Sequence, residues 1–168
     1  GHKKEIPALP GTFQDGYAFT KWRNADKNGV AGSDAAYIDT DFPMFRLSEA
    51  YLTAAEAYLR LGNNSSTALQ YVNVVRNRAY LNGNGAISNS DLTLDFILDE
   101  RARELSWELV RRTDLIRYNK FTTSDYLWSW KGNVKDGAAV DSKYNIFPLP
   151  SADITANPNL VQNPGYSK

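Results

Sequence analysis

Glu100, Glu104 and Glu108 fall four residues apart, so a helix would carry all three carboxylates on one face. Carboxylate pairs are the equipment of glycoside hydrolysis, where a retaining enzyme sets two about 5 Å apart and raises the pKa of one. The same stretch interleaves Arg101, Arg103, Arg111 and Arg112, whose charge favours ionised carboxylates. That lowers the pKa, the wrong direction for a general acid at neutral pH. Ion pairing is the better reading. Asp99 with Arg103, Glu108 with Arg112, and Asp114 with Arg117 stand at helix-pair spacing. The expectation is that Asp99, Glu100, Arg101, Arg103, Glu104, Glu108, Arg111, Arg112, Asp114 and Arg117 pin two helices to the protein body. No catalytic residue is expected among them.

Other chemistries fail on residue supply. The one histidine, His2, sits at the start of the chain as a fusion remnant or frayed end, leaving no base for a serine nucleophile. There is no cysteine, hence no disulfide or thiolate site. Gly83-Asn84-Gly85 lacks the lysine and hydroxyl residue of a phosphate loop and follows a helix instead of a strand. Asp34, Asp39 and Asp41 lack the glycine and distal glutamate of a calcium loop. No metal and no cofactor is expected. Nineteen basic and nineteen acidic side chains give a net charge of zero, against nucleic acid or a polybasic membrane surface as partner. No apolar run reaches the roughly 18 residues a membrane span needs.

The aromatic residues leave more open. Trp128 and Trp130 stand two apart in a loop, where extended backbone would turn both rings to one side. Trp22 lies in another loop beside Arg23 and Asn24. Sugar rings present flat C–H faces that pack on aromatic faces, while guanidinium and amide groups take the hydroxyls. Trp128, Trp130, Trp22 and Arg23 are therefore the candidate ligand contacts. The competing reading folds these tryptophans under loops as small satellite cores. Trp107, between Leu105 and Leu109, is expected to be core.

The elements that must position these residues are helical. Leu47, Tyr51, Ala54, Ala55, Tyr58 and Leu61 make an apolar stripe from about Pro43 to Leu61, with Gly62 as the left-handed stop. A second helix runs from Ser65 or Ser66 to about Leu81, carrying Ala68, Tyr71, Val72, Val75 and Ala79, before Asn82 and Gly83 break it. So short a link makes the pair an antiparallel hairpin, resembling a tetratricopeptide unit. Thr93 caps a third helix to about Leu109, with Leu92 and Ile97 as hydrophobic staple, and a fourth covers Arg112–Tyr118. Residues 122–142 read as polar loop. Tyr144–Phe147 reads as extended, and the tail to Tyr166 holds four prolines and no helix beyond about one turn. The fold class is mainly α, a tetratricopeptide-like hairpin plus further helices with long irregular loops and a proline-rich tail. It divides into a loop-rich segment (1–41), a helical scaffold (42–121), and a loop with tail (122–168).

The run Ile97 to Glu108, followed by Arg111-Arg112-Thr113-Asp114-Leu115-Ile116-Arg117, resembles the signature of the SusD/RagB family. The helix Phe45 to Ala57 and the ending Phe147-Pro148-Leu149-Pro150 through Asn157-Pro158 to Gly165-Tyr166 resemble that family's blocks in its order. The resemblance implies a non-catalytic, mainly α-helical lipoprotein on the outer face of certain Gram-negative bacteria. Such a protein lids a SusC-like TonB-dependent transporter and captures glycan for uptake. It also implies that this chain is a C-terminal portion, with the lipid anchor, the N-terminal helix pairs and most of the ligand platform upstream. No family binding residue is carried onto this chain. The main alternative is a helical-repeat scaffold that binds protein and no sugar.

Overall fold

In a computed structural model of the chain, residues 16–167 are described, apart from 18, 64, 81 and 82. His2, Leu81 and Asn82 lie outside the described residues. Two compact units are formed, one running to Leu109 and the other from Val110 onward. Among the described residues there is no β-strand, only an isolated bridge between Ala25 and Ala31.

The first unit is built on α1 (Leu47–Arg60), α2 (Ser65–Ala79) and α3 (Leu94–Glu104). Ala55 and Ala68 are fully buried, and their missing bulk lets α1 and α2 approach closely. Leu52, Val72, Val75, Leu92 and Ile97 complete the core, with Tyr51, Tyr58, Tyr71 and Phe96 packed at its edge. Thr93 caps α3, its Oγ1 accepting the Phe96 amide at 3.0 Å. Gly62, with φ 66°, ends α1 in the left-handed region.

Several expectations need correction. The helix expected from Pro43 begins at Leu47, because Arg46 caps it in extended conformation and spends its guanidinium elsewhere. The buried stripe of α1 is Ser48, Leu52, Ala55 and Glu56, so Leu47 and Leu61 are left 70% and 71% exposed. The third helix stops at Glu104 instead of reaching Leu109. Beyond it Trp107 and Leu109 take φ of 61° and 64°, and Trp107 is 66% exposed where a core position was expected.

In the second unit α4 (Arg111–Arg117) buries Asp114 and Leu115. Short 3-10 turns follow at Lys131–Asn133 and Ser142–Asn145, then α5 (Ser151–Ala156). Tyr144 and Asn145 thus coil where an extended segment was expected, while Ile146 beyond them is extended. At six residues α5 also exceeds the single turn expected of the tail. The Pro150 ring removes a donor that a helix start leaves unbonded in any case.

The core of the first unit makes a direct stability prediction. Ile97→Ala should lower unfolding free energy by about 2–5 kcal/mol, read by urea denaturation of the intact protein.

Candidate functional site

Two constellations matter, one in each unit. In the first, the Glu100–Glu104–Glu108 series is clothed in cations. Arg46 Nε and Nη2 donate to the two oxygens of Glu108 at 2.8 Å each, while its Nη1 reaches Glu104 at 2.9 Å. Arg78, from α2, grips both Glu104 oxygens at 2.7 and 2.8 Å. Glu100 accepts from Arg76 Nη1 at 2.6 Å and from Arg103 at 2.7 and 3.0 Å. Lys21 bonds Glu108 as well, and its ammonium donates to the Ser106 carbonyl at 3.0 Å. These carboxylates keep only 5–7% of their side-chain surface.

Burial pushes the Glu108 carboxyl up, but hydrogen bonds from Arg46 and Lys21 outweigh it and hold the group below the ordinary glutamate value of 4.5. A general acid needs the opposite. Arg101 is itself buried, donating to Thr53 Oγ1 at 3.1 Å and standing 3.7 Å from Glu49. Asp99 is half-buried on α3. In the second unit Arg117 lies 2.8 Å from Asp114. The pair expected between Glu108 and Arg112 required a continuous helix. The helix ends at Glu104, so that spacing does not apply, and Glu108 accepts from Arg46 and Lys21.

Trp22 and Arg23 belong to this first unit. Trp22 is half-buried, donates Nε1 to the Trp107 carbonyl at 3.3 Å, and packs on Phe42 with ring centres 5.2 Å apart. Phe19 stacks on Trp107 at 4.9 Å. Arg23 is exposed. Asp34 and Asp39 serve their own loop, accepting the amides of Ala36 at 2.7 Å and Ser33 at 2.7 Å.

The second constellation is a cavity of about 500 Å³ walled by Phe121, Trp128, Trp130, Ile146, Phe147 and Tyr166. Trp128 and Trp130 both line it, although not by extended backbone. A turn closes from Trp128 to Lys131, whose amide meets the Trp128 carbonyl at 3.1 Å, and Trp130 sits at φ 70°. Phe121 lies beside Trp128 at 6.2 Å, nearly parallel. The Arg112 guanidinium stands 4.0 Å from the Phe147 ring and donates to the Tyr144 carbonyl at 2.6 Å. Tyr166 fixes the far wall through its hydroxyl, 2.8 Å from the Ile146 carbonyl. The lining residues include no carboxylate. Apolar walls with a few polar groups can hold a ligand.

Sequence reading did not find Arg46, Lys21, Lys131, Phe121, Phe147 or Tyr166. The first two act across 58–87 positions, beyond any helical spacing rule. The FPLP block did single out Phe147 as a motif, but not as a wall.

The chain matches the model of the SusD family over residues 3–166. It is 43% identical, over 98% of its length, to the starch-binding protein SusD of Bacteroides thetaiotaomicron, covering 28% of that protein. A SusD superfamily crystal structure from Bacteroides vulgatus superposes at TM-score 0.65 with 33% identity, over 83% of this chain and 32% of that one. Surface glycan-binding protein A from Bacteroides thetaiotaomicron, solved with laminarihexaose, gives TM-score 0.61 with 29% identity over 81% of this chain and 27% of that one. The chain therefore spans less than a third of the length of each of these relatives.

Both constellations can be tested by perturbation. Below pH 4.5 the native state should lose the stability that Glu108 contributes. A folded-state pKa held below the unfolded one supplies stability above that range and loses it as pH falls through the folded value. Thermal melts across pH 3–7 should show Glu108→Gln flattening this dependence. Gly137→Ala should destabilise by about 2 kcal/mol or more in chemical denaturation. Gly137 stands at φ 84°, and an added Cβ would lie 2.6 Å from the Trp128 carbonyl.

Proposed function

From the premise that this chain belongs to the SusD family, we propose that it is the C-terminal portion of a cell-surface protein that binds glycan without cleaving it. The 43% identity to a starch-binding protein over nearly the whole chain carries this reading. Geometry supports it from two sides. The glutamates that would serve hydrolysis are buried against arginine and lysine, and the aromatic-walled cavity offers stacking faces with no carboxylate beside them. Within that cavity Trp128 and Trp130 are the proposed sugar contacts. Trp22 and Arg23 are weaker candidates, since Trp22 is already engaged with Trp107 and Phe42.

The further steps are drawn from the family. Captured glycan would pass to a SusC-like TonB-dependent transporter, with the protein held at the outer membrane by a lipid anchor upstream of this chain. The rest of the polypeptide would cover part of the first unit, where Met44, Phe45 and Leu47 stand 70–84% exposed.

Affinity electrophoresis of the full-length protein in starch and laminarin gels tests the reading, with retardation in at least one gel expected. Unretarded migration in every polysaccharide gel would favour the helical scaffold that binds only protein. If the cavity is the site, Trp128→Ala and Trp130→Ala should each weaken binding roughly 5- to 30-fold, about 1–2 kcal/mol by titration calorimetry.

A further inference from the structure

Lys131 is 3% exposed, yet its chain neighbours Trp130 and Gly132 both adopt left-handed backbone, at φ 70° and 65°. A bulky aromatic in that region is uncommon and persists only where its surroundings over-determine it. The surroundings here are the lysine's own contacts. Its ammonium donates to the carbonyls of Lys120 at 3.2 Å, Thr123 at 2.5 Å and Tyr126 at 2.8 Å. Those three bonds use all three ammonium protons. On a further side the Trp128 ring centre lies 4.6 Å from Nζ, within cation–π range.

We infer that Lys131 is the positioning residue of the aromatic cavity, an internal cation around which residues 120–131 wind so that Trp128 and Trp130 face one space. Three carbonyls converging on one point would repel one another without a cation between them. Residues 121–128 contain no helix or strand, and backbone bonds such as that from the Val140 amide to the Thr122 carbonyl at 2.9 Å hold them only at single points. Burial also lowers the Lys131 pKa below the ordinary lysine value of 10.5, so the charged form is kept at a cost. A buried charge met mainly by neutral carbonyls, with Asp125 adding a smaller Coulombic attraction, is a poor source of stability and a good source of a unique conformation. Preorganised rings lose little freedom on meeting a ligand.

The functional half of this inference rests on the glycan reading above, while the conformational half stands apart from it. The decisive variant is Lys131→Met in the full-length protein, which keeps the apolar stem and removes the ammonium. With 5-fluorotryptophan incorporated, and resonances assigned by Trp128→Phe and Trp130→Phe, fluorine NMR should show the Trp128 signal shifted or broadened. The Trp22 and Trp107 signals should stay in place, and thermal unfolding should remain cooperative. Affinity for maltohexaose or laminarihexaose, whichever the wild type binds, should fall tenfold or more well below the melting temperature. An unmoved Trp128 resonance overturns the inference, and so does a moved resonance with unchanged affinity. If the wild type binds neither sugar, the glycan reading loses its support, and the fluorine spectrum alone decides whether Lys131 holds Trp128. Should Lys131→Met not melt cooperatively, Lys131→Arg replaces it: the charge is retained, the compact cone of three donors is lost, and the same outcomes decide.

Discussion

The first unit depends on one electrostatic constraint: the carboxylates of Glu100 and Glu104 on α3, and of Glu108 just beyond its end, must be neutralised where little water reaches them. Glu100, Glu104 and Glu108 draw Arg76 and Arg78 from α2, Arg46 from the start of α1, and Lys21 from the loop before it. Every element of the unit is thereby tied to α3. Such pairs recover little net energy after desolvation, but removing one partner strands a charge, so they fix which arrangement is native. The hydrophobic core supplies the driving force, and the ion pairs choose the geometry.

The same cations explain how α3 ends. The last carbonyls of a helix lack partners and carry the negative end of its dipole. Arg46 Nη2 meets the Glu104 carbonyl at 2.9 Å, Lys21 meets that of Ser106, and the Trp22 indole meets that of Trp107. With these acceptors satisfied from outside, the backbone need not continue as helix. It turns through two left-handed residues, and Trp107 swings out to stack on Phe19.

Legibility in the sequence followed the range of the interaction. The Thr93 cap, the Gly62 stop and the stripe positions Ala55 and Ala68 are local or periodic features, and spacing alone revealed them. The basic character of the glutamate neighbourhood was also readable, because Arg101 and Arg103 are adjacent in the chain. What spacing could not give was the identity of the distant partners. Arg46 was read as part of a longer α1, and that misreading moved the helix start by four residues and turned its buried stripe. In the second unit, hydrophobicity flagged Trp128 and Trp130, but the lysine between Trp130 and Gly132 looks like any solvated loop residue. A buried cation serving carbonyls from three nearby positions leaves no periodic trace.

The two units solve opposite problems with the same chemistry, and this bears on function. In the first, cations neutralise anions, and the carboxylates become scaffold. In the second, cations meet carbonyls and rings: Lys131 gathers backbone oxygens, and Arg112 lies against Phe147 while holding the Tyr144 carbonyl. Glu108, held below the ordinary glutamate value by Arg46 and Lys21, is shifted away from what protonating a glycosidic oxygen requires. Both arrangements expend charge on holding shape. A surface that must present rigid aromatic faces from irregular loops needs such fixed points, because no helix or sheet supplies them.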